Sequence, residues 1–444
     1  MTKDKFNTKL REYAKTLSPN TSERDLVDKI YQAFNDLFGV NNCIQIGSYP
    51  RFTSITPLHD LDILYILGVW NENNHNPTTT LQNLFNQITH NYVNPTSYTI
   101  KTSLQTHSVT VDFSNGSELI LSVDIVPAYS YDKNEFDQDT YKVPEIIKER
   151  SHAKRKELYT KIQPEHRDIA WIDSDPRGYI KAATEVGQNP DFRKAVKFLK
   201  KWKYNLCDAD AELKLKSFHV EQVITHFFQY NPDLDIFDAI FEFFYMLPEI
   251  VDTPNQISDR ANSDKYIDDY LEKFTPEQIQ RIKKARDGFL VKLETLKESD
   301  LTANLMEINF LTRPESEEFM FDKNIQTFID TDLVFKIDGF VKPLAGYSSG
   351  WITQTPQLQK GLTRGQGKTR KIEFSVKNDM TGASSRWWKV RNANSCGQPR
   401  GEITLNQTKN HPESTEYLGD HHIECFAVDE NVCVAKAKLP VKII

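Results

Sequence analysis

The sequence predicts an α/β protein in three parts, with an α/β core, a helical second lobe and a C-terminal β-sandwich. Three observations carry this. In residues 1–160, short apolar runs that are too brief for helices alternate with amphipathic helical patterns. Residues 161–312 turn helix-rich and aromatic from Trp171 onward. Residues 316–444 hold short β-prone runs at roughly even spacing, the pattern of a small sandwich.

Composition bounds the possibilities. A chain of 444 residues has room for two or three domains with sizeable cores. With 39% hydrophobic and 26% charged residues it is neither disordered nor membrane-embedded in character. The N-terminal MTKDKFNTKL has no signal-type apolar core and no apolar run approaches about 18 residues, so a cytoplasmic location is expected. The cysteines at 43, 207, 396, 425 and 433 form no Cys-x-x-Cys pair, which argues against a disulfide framework or a zinc module. His421, His422, Cys425 and Cys433 come nearest to a metal cluster, but in a strand the two neighbouring histidines point to opposite faces. At a net charge of −7, with no long basic stripe, activation by nucleic acid is disfavoured. The six Lys and Arg between Lys148 and Lys161 read as a solvated helix face, with a rim that attracts nucleotide as the lesser alternative.

In chain order, residues 3–38 give two helical patterns broken near Pro19. Asn20 to Glu23 supplies an N-cap for the second, with Leu26, Ile30, Phe34, Leu37 and Phe38 at helical spacing. Asn41 to Ile46 reads as a short strand ending at Gly47-Ser48. The run Leu61 to Leu67 is a buried strand, yet its start carries Asp60 and Asp62 on one face. Two such carboxylates, roughly 6 to 7 Å apart, repel and lose solvation unless cations neutralise them, and a divalent ion does so most economically.

A polar loop (71–80), a helix (81–92) and strands near 98–100 and 108–113 follow, and the turn at 114–118 leads to a strand over Leu119 to Val126. That strand buries Asp124, a third carboxylate that would complete a two-cation site for phosphoryl transfer. Asp112 is its rival, but lies close to a turn where acids are ordinary. Gly47 lets backbone approach a phosphate, and Ser48 offers hydroxyl and amide donors to the same oxygens.

Beyond Trp171, helices are expected over 191–204, 216–229 and 237–247, with residues 250–300 charged and helical and 312–316 a linker. Strand signals then run to the C-terminus, where Trp387 and Trp388 look exposed, although a place in the core is the more ordinary reading of such a pair. Gly365 to Thr369 imitates the end of a P-loop, but position 362 is Leu where glycine is required, so the segment reads as a basic turn.

The order Gly-Ser, Asp-x-Asp and a distant strand Asp resembles the polymerase-β-type nucleotidyltransferases. GSYPRFTSI before DLDIL, with VDIVPA after, resembles the bacterial relatives of cyclic GMP-AMP synthase and oligoadenylate synthase, the CD-NTases of CBASS antiphage systems. The last quarter, with WWKVRNANSCGQPRGEI, resembles the AGS-C-type sensor domain that accompanies some of them. The resemblance implies that Asp60, Asp62 and Asp124 hold two Mg²⁺ (or Mn²⁺) and that Ser48 grips a triphosphate. It also implies that a long N-terminal helix braces both lobes. By the match of KSFHVEQ, Ser217 and Lys200 would meet phosphates, and Phe218, a tyrosine in animal relatives, would stack on a base. The implied reaction joins nucleoside triphosphates, ATP first and GTP or others besides, into a cyclic di- or trinucleotide with release of pyrophosphate. A downstream effector would read the product, and a phage component would act through the sensor domain. The zinc-held DNA-binding insertion of the animal enzyme has no counterpart here. Two alternatives stay open: linear transfer to RNA, DNA or protein, and a catalytically silent nucleotide-binding sensor.

Overall fold

The structure, a computed structural model, describes residues 3–71, 76–146, 169–295, 303–364, 369–393, 395–405 and 411–444. The chain forms two compact units, one of residues 11–243 and 249–275, the other of residues 1–10, 244–248 and 276–444. The expected order of α/β core, helices and C-terminal sandwich is present.

Helices α1 (Lys3–Thr16) and α2 (Thr21–Phe38) break at Pro19 as expected. Asn20 and Glu23 form a reciprocal capping box. Glu23 does more than cap: its Oε1 accepts from Thr56 Oγ1 at 2.9 Å and from Leu58 N at 2.8 Å, which pins the loop entering the acid strand.

Seven strands follow: β1 (Cys43–Ile46), β2 (Asp60–Val69), β3 (Thr99–Leu104), β4 (Val109–Asn115), β5 (Glu118–Lys133), β6 (Asp139–Ile146) and β7 (Ile169–Ser174). They form one sheet of order β1-β2-β5-β4-β3, with β6 on β5 and β7 on β6. Only the central β2–β5 pair is parallel. Val27, Ile30 and Phe34 of α2 share an apolar core with Leu61 and Ile63 of β2 and with Val123 and Ile125 of β5. This core holds the acid strands against a rigid support.

Helix α3 (Pro77–Asn91) starts earlier than the sequence reading placed it, because Asn76 caps it and Pro77 fits the first turn. Strands β6 and β7 and helix α4 (Pro176–Val186) had no sequence expectation, and the basic cluster Lys148 to Lys161 lies outside the described residues. Helices α5 (Phe192–Ala209), α6 (Ser217–Tyr230) and α7 (Ile236–Asp252) occupy the expected places. The expectation of helix throughout 250–300 needs correction. A hairpin of β8 (Ser258–Asp259) and β9 (Asn262–Tyr266) precedes helix α8 (Pro276–Thr295). Asn255 at φ 67° and the Asp268 carboxylate, which accepts from the amides of Gln256 and Ile257, set up that turn.

Beyond the irregular segment at 312–316, the second unit carries β10 (Gln326–Thr327), β11 (Lys336–Val341), β12 (Gly350–Trp351), β13 (Lys371–Lys377) and β14 (Ser385–Arg391). It continues with β15 (Ile403–Leu405), β16 (Glu413–Ser414), β17 (Gly419–Asp429) and β18 (Val432–Ile443). Sheets of order β10-β18-β17-β14-β15 and β12-β11-β13-β16 enclose a shared core. Ile337, Ile372 and Phe374 from one sheet meet Trp388, Ile423, Cys425 and Val441 from the other. Trp388 is therefore a core residue, 5% exposed, and Trp387 is half-buried in a satellite cluster. Of the two readings open for this pair, surface aromatics or core, the pleat gives Trp388 the core, turning it inward. His421 joins two segments, its Nδ1 accepting from Ala393 N at 3.1 Å and its Nε2 meeting the Tyr417 carbonyl at 2.9 Å. The P-loop-like Gly365 to Lys368 lies outside the described residues. Among the described residues, no helix is long and apolar enough to cross a membrane.

Candidate active site

The site begins where β1 meets β2. Ile46 pairs with Asp62, and the chain then turns at Gly47 with φ at 74°. Asp60 and Asp62 share a face of β2, and the parallel register sets Asp62 directly opposite Asp124 of β5. Thr110 of β4 lies opposite Asp124 on its other side and donates its hydroxyl to Asp124 Oδ1. Asp112 belongs to the next row, paired with Ser122, whose hydroxyl donates to its Oδ1 at 2.6 Å. The register thus brings Asp62 and Asp124 side by side and leaves Asp112 one strand further away.

Three carboxylates on one face disturb one another. Desolvation, then Asp124 and Asp60, push the Asp62 carboxyl up to about 7 against a partial offset from Arg51. Asp60 is also raised, by desolvation and by Asp124, with His59 and Lys203 pulling the other way.

The Gly-Ser turn is anchored from beneath. Thr53 N donates to the Ser48 carbonyl at 3.1 Å, and Thr53 Oγ1 donates to Glu221 Oε2 of α6 at 2.8 Å. Arg51 Nε reaches Glu221 Oε1 at 2.5 Å, and Lys200 Nζ reaches Glu221 Oε2 at 2.6 Å and the Thr53 carbonyl at 3.1 Å. All four residues are buried. Burial alone would raise the Glu221 carboxyl, but the two cations outweigh it and hold it at about 2. Lys200 is pushed below its ordinary value by desolvation, with Glu221 opposing. Its ammonium is thus committed to a buried ion pair that fixes the turn against α5 and α6.

Lys203, one turn further along α5, occupies the more open position. It is half-buried, donates to Ser217 Oγ at 3.3 Å at the start of α6, and interacts electrostatically with Asp60. Phe218 is half-buried, with the Arg51 guanidinium 5.3 Å from its ring centre and Tyr179 edge-on at 4.9 Å. Gly47, Ser48, Asp60, Asp62 and Asp124 therefore gather at one end of the sheet, and Lys203 links Ser217 to them.

Arg51, Thr53, Glu221 and Lys203 were not picked out by the sequence reading. Glu221 gave a usable signal, an acid set among Val220, Val223 and Ile224, the same anomaly that marked Asp62. Lys203 gave none, because KKWK offers three lysines with nothing local to rank them.

The donor set suits a hard cation. Among the described residues, no group of three or more His, Cys, Asp and Glu side chains is gathered tightly enough to hold a metal ion unaided. Carboxylate oxygens on an open face match the Mg²⁺ mode, in which one or two carboxylates act with water and substrate phosphates rather than as a closed protein cage. The mutual repulsion that raises Asp62 is what such a cation would relieve.

Residues 320–444 match the family model of the Adenylyl/Guanylyl and SMODS C-terminal sensor domain. Among solved structures, the chain is similar to CdnC of E. coli MS115-1 with ATP, at 15% identity over 69% of this chain and 99% of that one, with a TM-score of 0.49. The E. coli MS115-1 CdnC:HORMA-deltaN complex gives 16% identity over 69% and 98%, with a TM-score of 0.48. The Rhodothermus marinus CdnE c-UMP-AMP synthase with Apcpp and Upnpp gives 13% over 66% and 98%, at 0.43. No curated protein matches the chain.

Proposed function

We propose that this chain is a metal-dependent nucleotidyltransferase that joins nucleoside triphosphates into a cyclic di- or trinucleotide and releases pyrophosphate. The observation that carries the reading is the opposition of Asp62 and Asp124 across parallel strands, with the Gly47-Ser48 turn closed against Asp62. The match of residues 320–444 to a C-terminal sensor domain named for adenylyl and guanylyl systems supports it.

In this reading Asp60, Asp62 and Asp124 hold the ions, and Thr110 keeps the Asp124 carboxylate oriented. Bound Mg²⁺ would supply charge for the phosphates and acidify the attacking hydroxyl. Ser48 and the backbone at Gly47 receive the donor triphosphate, with Lys203 and Ser217 at its far end. Lys200 takes a positioning role through Glu221 rather than the phosphate contact expected of it. Phe218, braced by Arg51 and Tyr179, presents a ring for a base to stack on. A ribose hydroxyl attacks the α-phosphorus, the α–β bridging P–O bond breaks, and pyrophosphate departs. Repetition on the growing product, ending on its own first phosphate, closes the ring.

Residues 1–160 and 161–312 form the catalytic core and the helical lobe in this proposal, and residues 316–444 the regulatory sensor. The setting would be bacterial antiphage signalling in the cytoplasm, with ATP as first substrate, an effector that reads the product and a phage-derived activator. A linear transferase is the second reading, since the same three acids serve both. The experiment that separates them is incubation with labelled nucleoside triphosphates, once alone and once with added RNA, DNA or protein. A cyclic product without added macromolecule supports the proposal, and labelled nucleotide found only on RNA, DNA or protein supports the second reading.

A further inference from the structure

A cavity of about 220 Å³ opens at one end of the C-terminal sandwich, between its two sheets. Protein interiors rarely leave voids larger than a water molecule, so an opening of this size is an unusual feature of a sandwich core. Its floor is apolar, with Ile372 and Phe374 from one sheet and Ile423 and Val441 from the other. Its rim is polar and held in place. His421, 7% exposed, bonds Ala393 N on one side and the Tyr417 carbonyl on the other, so one imidazole fixes both walls. Tyr417 OH donates to Gln398 Oε1 at 2.7 Å, and Asn392 Nδ2 donates to the Gln398 carbonyl at 2.9 Å.

The charge on the rim says what does not bind. Arg400 is paired with Glu413 at 2.7 Å and with Glu402 at 3.4 Å, and Glu416 adds a further carboxylate beside it. A phosphate would meet a neutralised guanidinium and surplus negative charge. The apolar floor with an aromatic ring, and a rim that offers two amides, a phenol, the Ser414 hydroxyl and the His421 and His422 imidazoles, instead suits an uncharged planar ligand with both donors and acceptors. The size agrees. Apolar cavities of about 150 Å³ accept a benzene-sized guest, and pockets for drug-sized ligands start at about 300 Å³, so this one fits one heterocyclic ring system.

We propose that this cavity is a binding site for an uncharged heterocycle of the nucleobase class, taken up as a free base or nucleoside without its phosphates. The site belongs to the C-terminal domain and is independent of the triphosphate chemistry proposed for the other unit.

The test uses the full-length protein and hydrogen exchange read by mass spectrometry over Gln398–Ile403 and Tyr417–Ile423. Adenosine, guanosine, cytidine, uridine and inorganic phosphate are the probes, each at millimolar concentration. At least one nucleoside should slow exchange in both segments threefold or more, with no response to phosphate. Val390→Trp, which fills the cavity from the wall, should abolish the effect, and the exposed-residue variant Gln398→Ala should weaken binding at least fivefold without affecting folding. Absence of protection by all four nucleosides, protection by phosphate alone, or protection that persists in folded Val390→Trp would overturn the proposal.

Discussion

A β-carbon placed on Gly47 would collide with Oδ2 of Asp62. The turn proposed to receive a triphosphate and the carboxylate proposed to hold a cation thus press on each other, and only glycine fits between them. The backbone there, at φ 74°, disfavours any side chain independently of the contact. Gly47→Ala should displace Asp62 and strain the turn by about 1–3 kcal/mol, which lowers the rate of pyrophosphate release about 10- to 100-fold. A coupled pyrophosphate assay on the folded variant checks this.

Asp62→Asn removes the repulsion that burdens the metal-free sheet. Turnover should vanish, while the metal-free variant melts at a higher temperature than the wild type, a site in which stability is given up for function. Mg²⁺ with a non-hydrolysable triphosphate should raise the wild-type melting temperature and leave the variant almost unmoved. Scanning calorimetry with and without the ligands reads both effects.

Glu221 compensates two buried cations at once. Glu221→Gln leaves Arg51 and Lys200 without their counter-charge and should cost about 3–5 kcal/mol, measurable by urea unfolding. The sign of the pH dependence follows from the lowered carboxyl. Glu221 rests at about 2 in the folded chain against 4.5 ordinarily, so its stabilisation is complete above 4.5 and is lost as pH falls toward 2. The stability gap between wild type and Glu221→Gln should therefore shrink across that window.

Lys200 and Lys203 should respond oppositely to the same substitution. Lys200→Met strands the Glu221 carboxylate beside a single cation and should lower the melting temperature by several degrees. Lys203→Met should leave melting within about 2 °C of the wild type and raise KM for nucleoside triphosphate about tenfold or more, the loss of a charge-assisted phosphate contact. Thermal melts beside steady-state kinetics separate the two roles.

The acid strands were legible from sequence because charge inside an apolar run is a strong anomaly, and a period of two then fixes which faces Asp60 and Asp62 take. The preference for Asp124 over Asp112 rests in the sequence on the turn beside Asp112, and the register adds a spatial reason: Asp124 stands opposite Asp62, whereas Asp112 is bonded to Ser122 in the neighbouring row. Long-range partners were not legible. Arg51 and Glu221 are 170 positions apart, and only the packing of the Gly-Ser turn onto α6 reveals that they meet. The same limit applies to Lys200, for which the match of KSFHVEQ implies a phosphate contact, while its ammonium is enclosed by Thr53 and Glu221. In the sandwich, the strands of KIEFSVK and SRWWKVR were evident from β-branched and aromatic runs. Which tryptophan faces inward depended on the pairing of Trp388 with Cys425.

The most direct test of the central proposal is mass spectrometry of the products formed from all four ribonucleoside triphosphates with Mg²⁺ or Mn²⁺, beside the Asp60→Ala, Asp62→Ala double variant. The expected result is a phosphatase-resistant cyclic oligonucleotide, with stoichiometric pyrophosphate, that the double variant does not make. A product that phosphatase degrades to nucleosides, or the same yield from the double variant, would contradict the assignment of a cyclising nucleotidyltransferase to these acids.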